Sequence, residues 1–160
     1  MRVLFGSMKK LSQTFLLFIL LFTSQSHALL VEFVGPCEAT PFAAKLFTDV
    51  SGQSLAALTK IAAQDREIPM TLSIHGMFKF FGEDINPKAT TTMDNIKIGF
   101  GWCYLVNGQA SSVSAAEYFP HQEGRITWVH SYSVNILGEW QTSASCVPTY
   151  QKYSDKFCSK

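Results

Sequence analysis

Apolar and polar positions alternate with two different periods along this chain, and the switches between them mark out its elements. Leu29 to Val34 is a compact apolar run broken by Glu32, short enough for a buried strand, and Gly35-Pro36 ends it. Phe42 to Val50 predicts a second strand with Phe42, Ala44, Leu46 and Thr48 on one face. Leu55, Leu58, Ile61 and Ala62 then recur at helical spacing through Gln64. Ser54 stands before them, where a side-chain oxygen caps an orphan backbone N–H. After Pro69 the period returns to two: Met70, Leu72 and Ile74 alternate with Thr71, Ser73 and His75, and Phe78-Lys79-Phe80 continues the pattern past Gly76. Gly82 to Asn95 is polar and reads as a long loop. Ile96 to Val106 is strand-like and ends at Asn107-Gly108, a tight-turn pair because both residues tolerate positive φ. Arg125 to Leu137 alternates most cleanly, with Ile126, Trp128, Tyr132, Val134 and Ile136 on one face and His130 among them. Strands arranged around one helix predict an α+β domain, and a β-grasp-like sheet with one packed helix fits this order with the fewest assumptions.

The N-terminus follows a different logic. Arg2, Lys9 and Lys10 precede the apolar run Phe15 to Phe22, and Ser26-His27-Ala28 places small residues where signal peptidase reads them. The run is about half of the roughly 20 residues that a permanent membrane helix needs. Cys37 lies well beyond it, after Pro36, which argues against a lipid-modified terminus. Residues 1–28 therefore read as a signal peptide, 29–137 as the domain and 138–160 as a Ser/Thr-rich tail. The expected location is secreted or periplasmic, with no membrane span after cleavage.

Cleavage changes the charge. Of 13 Lys and Arg, three lie in the leader, so ten remain against 12 Asp and Glu, a net near −2. Such a surface has no electrostatic reason to seek nucleic acid, whose binding rests on many phosphate contacts. All four cysteines, Cys37, Cys103, Cys146 and Cys158, lie past the leader. In an oxidising compartment an even count predicts two disulfides, with three connectivities open. Close spacing favours Cys146–Cys158, which leaves Cys37–Cys103.

Catalytic signals are sparse. His75, His121 and His130 form no metal-ligand spacing, and no serine sits in a nucleophile elbow. Glu83-Asp84 are neighbours in the long loop and read as solvated. The chain is not expected to be an enzyme, and no intrinsic cofactor or metal is expected. Aromatic residues are the richer signal. Most read as core, in keeping with their enrichment in strands, while Tyr104 beside the turn is the best candidate for a ligand platform.

The stretch Gly101-Trp102-Cys103-Tyr104-Leu105-Val106-Asn107-Gly108, then Ala116-Glu117-Tyr118, then Glu123-Gly124-Arg125-Ile126-Thr127-Trp128, resembles the signature of the transcobalamin-like C-terminal domain family. The resemblance implies a β-grasp-like domain that covers one face of cobalamin or a related corrinoid. It implies ligand contact by Tyr104 and by the hairpin residues Gln109, Ala110, Ser111 and Ser112. Trp102, Asn107, Gly108, Tyr118, Gly124 and Trp128 match the motif as turn formers and core anchors. The helical barrel that holds the other ligand face in cobalamin-transport members is absent from this sequence, so a second protein completing the site is an expected partner. The alternative expectation is a secreted protein-interaction or structural β-grasp domain without a small ligand.

Export predicts a mature N-terminus near Leu29. Intact mass of the protein recovered outside the cytoplasm should lack the first 28 residues, and a mass that retains them contradicts the leader assignment.

Overall fold

Backbone pairing follows the periodicity closely. A computed structural model describes residues 28–72, 78–80, 90–93, 95–122, 124–141 and 146–158, so residues 1–27 of the expected leader lie outside the described residues, as do His75, Glu83 and Asp84. In chain order the elements are β1 (Leu29–Val34), β2 (Pro41–Phe47), α1 (Leu55–Asp65), β3 (Met70–Leu72), β4 (Phe78–Phe80), β5 (Thr90–Met93), β6 (Ile96–Val106), β7 (Gln109–Ala110), β8 (Gly124–Ile136), β9 (Glu139–Trp140) and β10 (Val147–Pro148). Two short 3-10 turns, Thr149–Gln151 and Ser154–Lys156, follow β10. This is a mixed α+β architecture with one α-helix among the described residues. None of the helices among them is long and apolar enough to cross a membrane.

The main sheet runs in the order β2-β1-β8-β6-β5, and β3 pairs with β4 in a separate two-stranded sheet. Its centre is the antiparallel pair β6–β8, in register from Ile96 opposite Ile136 to Val106 opposite Ile126. Because residues directly opposite each other share a face, this register sets Tyr104 beside Trp128, Trp102 beside His130 and Phe100 beside Tyr132. Parallel pairing of β1 with β8 adds Val31 and Phe33 to that aromatic face, opposite Ile126 and Trp128. Phe80 packs edge-on against Phe33, Trp102 and Trp128, with centroids 5.2, 4.8 and 5.7 Å away. The Trp102 indole Nε1 is buried there without a hydrogen-bond partner among the described residues.

The helix closes one end of this face. Its buried stripe, Leu55, Leu58, Thr59, Ala62 and Ala63, belongs to the core, and Ser54 Oγ accepts from the Ala57 N–H at 3.4 Å as the cap. The Trp128 indole N–H donates to Thr59 Oγ1 at 2.9 Å, which satisfies two buried polar groups with one bond. At the other end of the helix, Asp65 pairs with Lys45, and Arg66 Nε donates to the Ala44 carbonyl at 3.0 Å. Both bonds tether the helix to β2, the outer strand of the sheet on that side.

Three expectations are corrected. The long loop expected over 82–95 contains a strand: Thr90, Thr91 and Met93 pair with β6, where β-branched threonines suit an extended, pleated backbone. The second strand stops at Phe47, and a register shift between Phe33 and Val34 breaks its alternation. That bulge turns Phe42 onto the aromatic face, 6.1 Å from Phe33 and 6.5 Å from Trp102, instead of aligning it with Ala44 and Leu46.

The third correction concerns the cysteines. Two disulfides are present, but they join Cys37 to Cys158 and Cys103 to Cys146. The tail does not close on itself; it clasps β8. On the side away from β6, that strand is lined in turn by β1 along 124–129, β10 at Ser131 and Tyr132, and β9 at Asn135 and Ile136. Cys103 lies between Trp102 and Tyr104 and so faces the opposite side of the sheet. Cys146, with φ at 63°, bonds to it there. The chain then crosses the strand edge as β10 and reaches the aromatic face, where Thr149 and Phe157 meet His130. The closed loops span separations of 121 and 43 residues, which the chain-entropy treatment values at about 5 and about 4 kcal/mol, against about 3 and about 4 for the two loops expected.

Trp128 is buried on every side, so Trp128→Ala should cost about 3–5 kcal/mol, the range for deleting a large core aromatic. Chemical denaturation measures it, and an unchanged midpoint contradicts the packing described.

Candidate functional site

The turn at the end of β6 is built by two residues. Asn107 and Gly108 have φ of 50° and 83°, and Val106 opposite Gln109 closes a two-residue hairpin whose twist suits the flanking strands. Asn107 also fastens the hairpin to β8. Its backbone N–H donates to the Arg125 carbonyl and its Oδ1 accepts the Arg125 N–H, both at 2.8 Å. Gly124 makes this approach possible: its φ is 139°, and a Cβ there would lie 3.1 Å from Asn107 Oδ1.

Beneath the loop stands Tyr104, 6% exposed, its ring between Tyr118 and Trp128 with centroids 5.9 and 5.3 Å away. Its hydroxyl donates to the Val113 carbonyl at 2.6 Å and accepts from Ser111 Oγ at 2.8 Å. Ser111 Oγ in turn accepts the Val113 N–H at 3.2 Å. One phenol thus gathers residues 111–113 into a fixed bend. The segment that follows caps the helix: the Tyr118 and Ala115 carbonyls accept the Leu55 and Ala56 N–H groups, both at 2.8 Å. Two of the orphan donors at the start of α1 are satisfied by the same segment that borders the hairpin.

These bonds shape a shallow depression of about 550 Å³ lined by Val106, Asn107, Gln109, Ala110, Ser111, Ser112 and Tyr118. All four hairpin residues expected to approach a ligand meet there. Tyr104 does not line it; the structure puts that side chain under the loop, as a support. Trp128 sits in the core with Trp102 half-buried against it, and Gly108 and Gly124 serve the turn and its attachment. Asn107 and Tyr118, read as architectural, take both roles. Val106 joins the lining beyond the expected residues, and its place directly before the turn is the sequence signal for it. The lining carries no formal charge, only amide, hydroxyl and phenol groups beside apolar Val106 and Ala110. Near it in sequence, Val113 is 44% and Phe119 59% exposed.

A second depression of about 470 Å³ lies between β2 and the end of α1, lined by Pro41, Phe42, Ala43, Ala44, Arg66, Glu67 and Ile68. Among the described residues no group of three or more His, Cys, Asp or Glu side chains could hold a metal ion. His130 is fully buried. Thr149 Oγ1 lies 2.8 Å from its Nδ1 and donates to the His130 carbonyl at 3.0 Å. A hydroxyl has one proton to give, so Nδ1 carries the proton in the ring's bond to Thr149. No protein-family model, curated protein or solved structure matches this chain.

Burial raises the Tyr104 phenol above its ordinary value of 10.0, opposed by the Ser111 bond and reinforced by Tyr118. A raised folded-state value favours the neutral form, so the stabilisation is present below that ordinary value and is lost as pH rises through the raised one. Stability of Tyr104→Phe should therefore fall less steeply in that alkaline window, while amides of residues 111–113 exchange faster at neutral pH. Parallel alkaline curves for the two proteins contradict the burial described.

Proposed function

We propose that this chain is an exported binding module that holds a small molecule against the hairpin depression, with cobalamin or a related corrinoid the first ligand to test. The observation that carries the reading is the meeting of Gln109, Ala110, Ser111 and Ser112 in one depression beside Tyr118, on a loop fixed by Tyr104 and Asn107. Rigid placement matters because a loop that is already ordered loses little entropy when it binds. Neutral amide and hydroxyl groups suit a ligand edged with hydrogen-bonding groups of the same kind, and the Tyr118 ring offers apolar area.

A β-grasp-like description accompanies this reading, supported by the parallel pairing of β1 with the long strand β8 and by a helix packed against one end of the aromatic face. Export is supported by the leader pattern, and two disulfides are consistent with an oxidising compartment. The depression is shallow, whereas small-molecule sites usually enclose most of their ligand. A second protein completing the site therefore belongs to the proposal, and exposed Val113 and Phe119 offer it apolar contact.

Titration calorimetry with the disulfide-bonded protein and near-millimolar cobalamin tests the reading, with visible absorbance as a second signal. The expected affinity for the lone domain is micromolar or weaker, equivalent to about −8 kcal/mol or less favourable. Gln109→Ala combined with Ser112→Ala should weaken binding about tenfold, or about 1.4 kcal/mol, with the melting temperature unchanged. Absence of heat and of spectral change removes the corrinoid from the proposal.

A further inference from the structure

The two disulfides differ in what they hold and in how they meet solvent. Cys103–Cys146 joins a half-buried residue of β6 to a buried one, whereas Cys37 is exposed and its partner Cys158 half-buried. Thiol–disulfide exchange requires a thiolate to reach a sulfur, so access sets which bond reacts first. The exposed bond also ties the segment that follows Thr149 to the end of β1.

From Cys146 to Thr149 the tail is well secured. Cys146 is bonded to β6, Val147 and Pro148 pair with β8, and Thr149 is fully buried against His130. From Tyr150 to Cys158 none of the residues is buried, and the backbone bonds are those of two three-residue 3-10 turns and their flanks. Such turns have poor bond geometry and little independent stability. This stretch nevertheless covers the far end of the aromatic face. Tyr153 packs on Phe100 and Tyr132 at 5.4 and 4.8 Å, and Phe157 packs on Phe100 and His130 at 5.1 and 4.7 Å.

We propose that residues 150–158 form a thiol-reducible strap, hinged after Thr149 and latched by Cys37–Cys158, whose release uncovers the strip formed by Phe100, His130 and Tyr132. The reductant is a dithiol. Its two sulfurs join as a disulfide while the Cys37 and Cys158 sulfurs each end as a thiol, two electrons and two protons passing from one pair to the other. The Cys103–Cys146 bond, β10 and Thr149 stay in place, so the sheet keeps its fold while the strap swings free.

Stepwise reduction of the native protein with dithiothreitol, followed by alkylation and peptide mass spectrometry, tests the order. The first species should carry label on Cys37 and Cys158 with Cys103–Cys146 intact. In that species, amides of residues 150–158 should exchange at least about tenfold faster while those of β6 and β8 are unchanged. The double variant Cys37→Ser, Cys158→Ser should show the same exchange pattern without reductant. Earlier or simultaneous reduction of Cys103–Cys146 overturns the proposal, and so does continued protection of residues 150–158 after selective reduction.

Discussion

Everything in this molecule is referred to the antiparallel pairing of β6 with β8. Eleven residues of each strand are in register, from Ile96 opposite Ile136 to Val106 opposite Ile126. The pairing aligns the aromatic side chains into one face, and that face is what the helix, Phe80 and the C-terminal turns cover. It also sets where the Asn107 turn meets the start of β8, and so where the hairpin residues stand. A one-residue slip would exchange the two faces, sending Trp128 and Tyr104 to the side where Cys103 now bonds Cys146.

The other edge of β8 shows how a small domain handles a long central strand. β1 covers only residues 124–129, and a bare edge beyond it would present unpaired backbone groups. The C-terminal segment fills part of that gap with β10, and the hairpin strand β9 fills more. This use of the tail explains the disulfide pattern. A chain that must pass from one face of the sheet to the other around β8 meets Cys103 first and the end of β1 last.

Much of the fold was legible because its long elements have clear periods. The bounds of β6, the extent of the helix, the Ser54 cap and the Asn107-Gly108 turn all follow from local chemistry that no distant contact overrides. Tertiary features were not. The bulge that redirects Phe42 depends on how β2 docks on β1, and the short β5 forms because β6 offers it a partner. Disulfide pairing was not legible because proximity along the chain differs from proximity in space where the tail travels around a strand. At the site, the hairpin residues were legible from the turn. The place of Tyr104 was not, since alternation assigns it to a face but does not say that a loop closes over it.

The site and the strap hang on opposite ends of the same strand pair, and both depend on that pair being the last part of the structure to open. Loop 109–113 is shaped by a few hydrogen bonds of Ser111 and Val113 to Tyr104 and by a turn that Asn107 fastens to Arg125, and the strap by two small turns and one exposed disulfide. Neither would hold its shape on a yielding sheet. Native-state hydrogen exchange under increasing denaturant reads this directly. Amides from Ile126 to Ser131 should exchange only through global unfolding, with the opening free energy measured by denaturation of the whole protein. Exchange of those amides through a smaller opening, while the helix amides stay protected, would contradict the account.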